Sequence, residues 1–130
     1  MLLVIDTNIL VNAFRGKRDS RRKSQKLLLD VYWGEHKVFV SSPIMEEYRD
    51  VLSREHLQLR KGSVFIWMWY VKHYAVFIEP NPSTPSDYEM KDEDDRKFFD
   101  VARCVGAKLV TRNVKHFPVH ELITPIDEIY

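Results

Sequence analysis

The strongest constraint on this chain is a set of short apolar runs separated by longer segments of helical spacing. Residues 2–5 (LLVI), 37–40 (KVFV), 75–78 (AVFI) and 108–111 (KLVT) read as strands, and residues 120–123 are a fifth candidate. A continuous apolar run of that length suits a strand buried on both faces, as in a parallel sheet. Strands alternating with helices predict an α/β three-layer sandwich with a central parallel sheet of four to five strands flanked by helices. Residues 1–130 read as one domain, since no linker-like composition shift or repeat divides them.

Between the strands, residues 7–14 read as a short helix ended by Gly16. Ser20 is a candidate N-cap for a helix through Trp33, closed by Gly34. Ser42-Pro43 followed by Glu46 and Glu47 resembles a capping box with Pro at N1, opening a helix to about residue 53. Residues 62–75 (GSVFIWMWYVKHYA) are apolar nearly all round. Core packing is the default for Phe65, Trp67, Trp69 and Tyr70, and an interface groove is the alternative. Residues 80–85 (PNPSTP) form a turn-rich loop. Residues 95–105 are amphipathic, with Phe98, Phe99, Val101, Ala102 and Val105 inward and Gly106 as the stop.

Composition removes several classes. No apolar run approaches the roughly 18 residues of a membrane helix, and the N-terminus lacks the pattern of a signal peptide. Cys104 is the sole cysteine, so neither an internal disulfide nor a zinc-cysteine cluster can form, and a cytoplasmic setting is expected. The net charge is only +1, but it is unevenly spread. Residues 15–26 (RGKRDSRRKSQK) hold seven basic residues and one acid, whereas residues 79–95 hold seven acids and one lysine. Adjacent basic and acidic segments suit an anionic polymer bound beside a cation; two differently solvated faces would look the same in sequence.

In an open parallel sheet, sites form outside the carboxyl ends of the strands. Asp6 follows the first strand, Ser41-Ser42 with Glu46 and Glu47 the second, and Thr111 and Asn113 the fourth, while Asp92, Glu93, Asp94 and Asp95 open the helix before it. Asp6 alone could be a helix cap, and the other acids could serve helix dipoles. Taken together they predict carboxylates converging at one sheet edge, where like charges require a counter-ion. An oxygen-only donor set favours Mg²⁺ or Mn²⁺, the ions of phosphoryl transfer. A phosphoacceptor enzyme is the poorer reading, because the second Asp it usually wants two residues on is here Asn8.

The blocks VIDTNILVNAF, SSPIMEEYRDVLSR and DEDDRKFFDVARCVGAKLVTRNVKHFP resemble the signature blocks of the PIN domain, in its toxin-like branch of VapC-type ribonuclease relatives. The resemblance covers essentially the whole chain. It implies a parallel-sheet fold and a Mg²⁺- or Mn²⁺-dependent endoribonuclease, the toxin of a toxin–antitoxin system. It also implies an RNA substrate, a homodimer and a protein antitoxin, with no membrane association. Residue by residue, it implies catalytic and metal-ligating roles for Asp6, Glu47 and Asp95, with Glu46 the competitor to Glu47. Asn8, Thr111, Asp92 and Asp94 would support them. Asn113 is a departure, since many PIN nucleases carry Asp there; an amide oxygen can ligate but adds no charge. That departure keeps a catalytically weak RNA- or protein-binding module as the alternative. Arg18, Arg21, Arg22 and Lys23, with Arg112 and Lys115, are the candidate RNA contacts, and His116 is a structural or phosphate-contacting candidate.

Overall fold

The computed structural model describes residues 1–15 and 17–130; Gly16, the expected stop of the first helix, lies outside the described residues. The strands are β1 (Leu2–Ile5), β2 (Lys37–Val40), β3 (Val76–Phe77), β4 (Lys108–Thr111) and β5 (Ile123–Pro125), and the helices are α1 (Thr7–Arg15), α2 (Arg18–Tyr32), α3 (Ser42–Leu52), α4 (Lys61–Tyr74) and α5 (Arg96–Val105). All described strands pair in parallel in the order β3-β2-β1-β4-β5. The central strand β1 has its last three residues fully buried, as its unbroken apolar run requires. Its C-terminal end therefore lies between the ends of β2 and β4, which places Asp6 at the centre of the sheet edge.

Several boundaries differ from expectation for local reasons. Helix α2 starts at Arg18 with Lys17 as its N-cap, and the Ser20 hydroxyl donates back to the Lys17 carbonyl at 3.0 Å from inside the first turn. In α3 the cap is Ser41, whose Oγ accepts from the Ile44 amide at 3.4 Å. The amide and hydroxyl of Ser42 both donate to Glu79, each at 2.6 Å, so a carboxylate from beyond β3 does the capping work expected of Glu46 or Glu47. Strand β5 begins only at Ile123, because residues 120–122 are spent in a turn: His120 accepts from the Leu122 amide through Nδ1 and from the Ile123 amide through its carbonyl, both at 3.1 Å. Gly106 ends α5 with φ of 70°, a left-handed residue where other side chains would be strained.

The core is a contiguous cluster around β1, β2 and β4, roofed by Ile9, Leu10, Ile44, Tyr48, Trp67, Phe98 and Phe99. Helix α4 departs from the core reading of its aromatic stretch. Only Trp67 and Val71 are buried, while Phe65, Ile66, Trp69 and Tyr74 are exposed. Among the described residues no helix is long and apolar enough to cross a membrane.

Candidate active site

The chain reverses into α1 directly after β1, with the Ile9 amide bonded to the Asp6 carbonyl at 3.0 Å. The Asp6 side chain is 7% exposed and accepts from the Thr111 hydroxyl at 2.8 Å. The nearby Thr7 and Asn8 amides favour its charged form, so the start of α1 faces the Asp6 carboxylate at the sheet edge. Thr111 is a junction: its Oγ1 accepts from the Asn8 amide group at 3.3 Å and from the Asn113 backbone amide at 3.0 Å. Asn8 Oδ1 in turn accepts from the Arg112 backbone amide at 3.2 Å. Asn8 and Thr111 thereby tie the start of α1 to the end of β4.

Helix α3 carries Glu47 to the same place. Its Oε2 accepts from the Thr7 hydroxyl at 2.5 Å, and its Oε1 lies 2.8 Å from the Lys97 ammonium. The next residue, Tyr48, is fully buried and donates its hydroxyl to the Ile5 carbonyl at 2.5 Å, fixing α3 against the last residue of β1. Glu46 points elsewhere: it is exposed and lines a separate groove with Phe65, Met68 and Trp69. Between the two glutamates, the geometry brings Glu47 to Asp6.

Asp95 enters from the 3-10 turn that precedes α5. Asp92 caps that turn by accepting from the Asp94 amide at 3.0 Å. The turn is anchored from behind by the buried Arg96, which donates to Glu93 at 2.6 Å, to Ser83 Oγ at 2.9 Å and to the Tyr88 carbonyl at 2.7 Å. Buried Asp100 completes the clamp by accepting from the Ser83 hydroxyl at 2.6 Å. The long segment after β3 is thus held so that Asp92, Asp94 and Asp95 face one open cleft of about 520 Å³ together with Thr7, Asn8 and Glu47.

The electrostatics record the crowding. Burial, with the Glu47 charge adding to it and the Thr111 hydroxyl opposing, pushes Asp6 up to about 6. Burial and then the charges of Asp6, Asp92 and Glu47 push Asp95 up to about 7. Such anions repel across a partly desolvated cleft and are stabilised by a cation placed among them. Among the described residues no three acidic or imidazole side chains close around one point as a finished ion cage. The donor chemistry fits a hard divalent ion that keeps part of its water shell: oxygen atoms only, anionic, at a shared cleft.

Asn113 is turned towards the imidazole of His116, with its Nδ2 2.9 Å from Nε2. An amide nitrogen only donates, so Nε2 accepts and Nδ1 is left facing Asp95 Oδ2 at 3.7 Å. His116 therefore sits between Asn113, which it contacts, and Asp95, which it does not reach within hydrogen-bond distance.

The basic residues divide. Arg112 lines the cleft and, with the Asn12 amide oriented to satisfy its neighbours, donates to Asn12 at 2.9 Å. Arg15, the first residue of the basic segment, and Arg54, which did not stand out in sequence, line it too. Arg18, Arg21, Arg22 and Lys23 are not among the lining residues. Helix α2 buries Ser24, Leu27, Leu28 and Val31, which leaves Arg18 and Arg22 towards solvent, and Lys23 pairs with Asp127 at 2.6 Å. Lys115 is exposed on the turn after β4. Lys97 and Arg96 were also missed; they follow a run of four acids, beside which two cations read in sequence as nothing more than local charge balance.

A family model described as a PIN domain matches residues 2–115. No curated protein matches the chain.

Proposed function

The chain belongs to the PIN domain family, whose members are in general nucleases that use divalent metals, and on that premise we propose that it is a Mg²⁺- or Mn²⁺-dependent endoribonuclease acting at the Asp6–Glu47–Asp95 cleft. The observation that carries this reading is that three carboxylates, just after β1, on α3 and in the turn before α5, share one electrostatic environment at a sheet edge. Asp6 and Asp95 would hold the ion, with Glu47 ligating it or orienting the attacking water. A bound ion of this type supplies a water activated at neutral pH and neutralises charge developing on a phosphodiester. Thr111 and Asn8 keep Asp6 in place, Thr7 orients Glu47, and Arg96 positions the turn that carries Asp95. Asn113 contributes an uncharged oxygen at most.

Arg15, Arg54 and Arg112 border the cleft and would take the RNA backbone, with Arg18, Arg21, Arg22, Lys23 and Lys115 extending that surface. Phosphate contacts of this kind give affinity without base readout. Replacing Arg15 and Arg112 together by Ala should lower the slope of log affinity against log salt by about one per lost contact, measured by fluorescence anisotropy on a labelled RNA. The same measurement on Arg18→Ala with Arg22→Ala reports whether α2 carries part of the strand. Unchanged slopes in both would remove RNA from this surface.

We further place the protein in the toxin-like branch, as a cytoplasmic toxin that pairs with a second copy and is silenced by a small antitoxin. The exposed Phe65, Trp69 and Phe77 side chains, which line one groove, support a protein partner, since patches of this kind are uncommon on isolated chains. Growth arrest on induction, relieved by a co-expressed neighbouring small protein, tests the toxin role. The engagement of Asn113 by His116 favours the second reading, an RNA-binding module with little catalysis. Incubating a structured RNA with Mn²⁺, then with Mn²⁺ and EDTA, separates the two. Cleavage that the chelator abolishes supports the nuclease, and binding without cleavage under Mg²⁺ and Mn²⁺ supports the module.

A further inference from the structure

We propose that Arg112 seats the phosphate next to the scissile one, and that Asn12 is the positioning residue that holds it there. This rests on reading the cleft as a nuclease site. Two helical walls give the cleft a direction. On α1, Asn8, Asn12 and Arg15 line it from one helix face, each about a turn beyond the last. On α3 and just past its end, Glu47, Val51 and Arg54 do the same. Each stripe starts at the carboxylate centre and ends on an arginine. Asp92 and Asp94 belong to the acidic end, on the turn that carries Asp95. A strand with its scissile phosphate at the carboxylates would run the phosphates on one side of the cut towards the arginines.

Arg112 is held in place before any ligand arrives. Its backbone amide donates to Asn8 Oδ1 at 3.2 Å, and its guanidinium donates to the Asn12 amide oxygen at 2.9 Å in the orientation that satisfies that amide's neighbours. Two asparagines one turn apart on α1 thus hold one residue from the end of β4 at its backbone and at its tip. Asn12 is itself fixed. It is 7% exposed, and its amide nitrogen donates to Ser24 Oγ at 2.7 Å and to the Ser20 carbonyl at 3.1 Å, both on α2. Only the oxygen is left for Arg112, and a guanidinium can only donate. Both partners of Arg112 are neutral amides, so they fix the side chain without cancelling its charge. Arg54 instead pairs with Asp50 at 2.8 Å. A planar guanidinium held ready loses little freedom on taking up a phosphate. Asn12 lies about 6 Å beyond Asn8 along α1, a step of the order of one nucleotide along a strand. That offset puts the Arg112 guanidinium at the neighbouring phosphate rather than at the scissile one.

The first test is binding of a labelled single-stranded RNA to the full chain in EDTA, read by fluorescence anisotropy, so that neither metal nor cleavage enters. Arg112→Ala should weaken binding about tenfold. Asn12→Ala should weaken it about threefold or more, by freeing the arginine. The double variant should bind no more weakly than Arg112→Ala alone. Losses that multiply would overturn the positioning role, since they would show Asn12 acting through the fold. The second test leaves position 12 untouched. An RNA that the wild type cuts at one bond with Mn²⁺ is remade with a neutral methylphosphonate on either side of that bond. On one side the change should raise KM about tenfold and leave kcat nearly unmoved, and it should be silent in Arg112→Ala. Equal penalties in both proteins would overturn the seat while leaving the nuclease reading in place. RNA bound with the expected coupling but never cut would overturn the nuclease reading and leave Arg112 as a phosphate seat. No RNA binding by the wild type would overturn both.

Discussion

Asp6→Asn will cut RNA cleavage by at least about a hundredfold and, in the same protein without metal, raise the melting temperature at pH 8. The two effects share a cause. The structure holds Asp6 at about 6 against an ordinary 3.8, chiefly by burial. Between those values the folded chain keeps a proton that the unfolded chain has released. Stability from this group is therefore fully present below about pH 4 and is lost as pH rises through 6. Asp95, pushed up to about 7, extends the loss towards neutrality. At pH 8 the ionised Asp6 costs on the order of 3 kcal/mol, which for a chain of this size corresponds to several degrees. Asn avoids that cost and still offers Thr111 an oxygen to donate to. The stability gain should vanish by about pH 4. Millimolar Mg²⁺ should raise the melting temperature of the wild type and leave Asp6→Asn nearly unmoved. A variant less stable than wild type at pH 8 would show that the carboxylate is not crowded.

The second large effect separates two tryptophans two residues apart. Trp67→Ala should cost about 3–5 kcal/mol, a large share of the 5–15 kcal/mol a domain holds, whereas Trp69→Ala should stay within about 0.5 kcal/mol. Trp67 is fully buried, with Tyr48 edge-on at 5.9 Å and Tyr70 stacked at 6.2 Å. Trp69 is 47% exposed and lies against His73. The Trp67 cavity would also loosen Tyr48, whose hydroxyl pins α3 to β1 beside the candidate site. Trp67→Phe should be far milder, because the indole Nε1 is buried with no acceptor among the described residues. Urea midpoints at constant slope measure all three. Equal losses for Trp67→Ala and Trp69→Ala would contradict the packing of α4.

These two cases mark where sequence is legible. β1 and β4 are plain because a strand buried on both faces writes itself as an unbroken apolar run, and strand ends then point to Asp6 and Thr111. Glu47 over Glu46 is legible through the aromatic residue that follows it: Tyr48 enters the core and turns Glu47 towards Thr7. Helix α4 hides its inner face because it is apolar on nearly every side, so periodicity cannot tell Trp67 from Trp69. The α2 arginines and Arg112 all look like RNA contacts in sequence, yet only Arg112 of these lines the cleft, where packing adds Arg15 and Arg54. Arg96 and Lys97 are invisible for the same reason, since their partners lie on other segments or follow from a long loop folding back.

The central claim is that Asp6, Glu47 and Asp95, distant in sequence, form one cation site. Substoichiometric Mn²⁺ added to the ¹⁵N-labelled protein tests it directly, because the ion broadens the nearest amide signals. The signals of Asp6, Asn8, Glu47, Asp95 and Thr111 should fade first and together, while those of Phe65, Trp69 and Trp33 stay sharp. Fading centred on another surface, or no selective fading at millimolar Mn²⁺, would contradict the account.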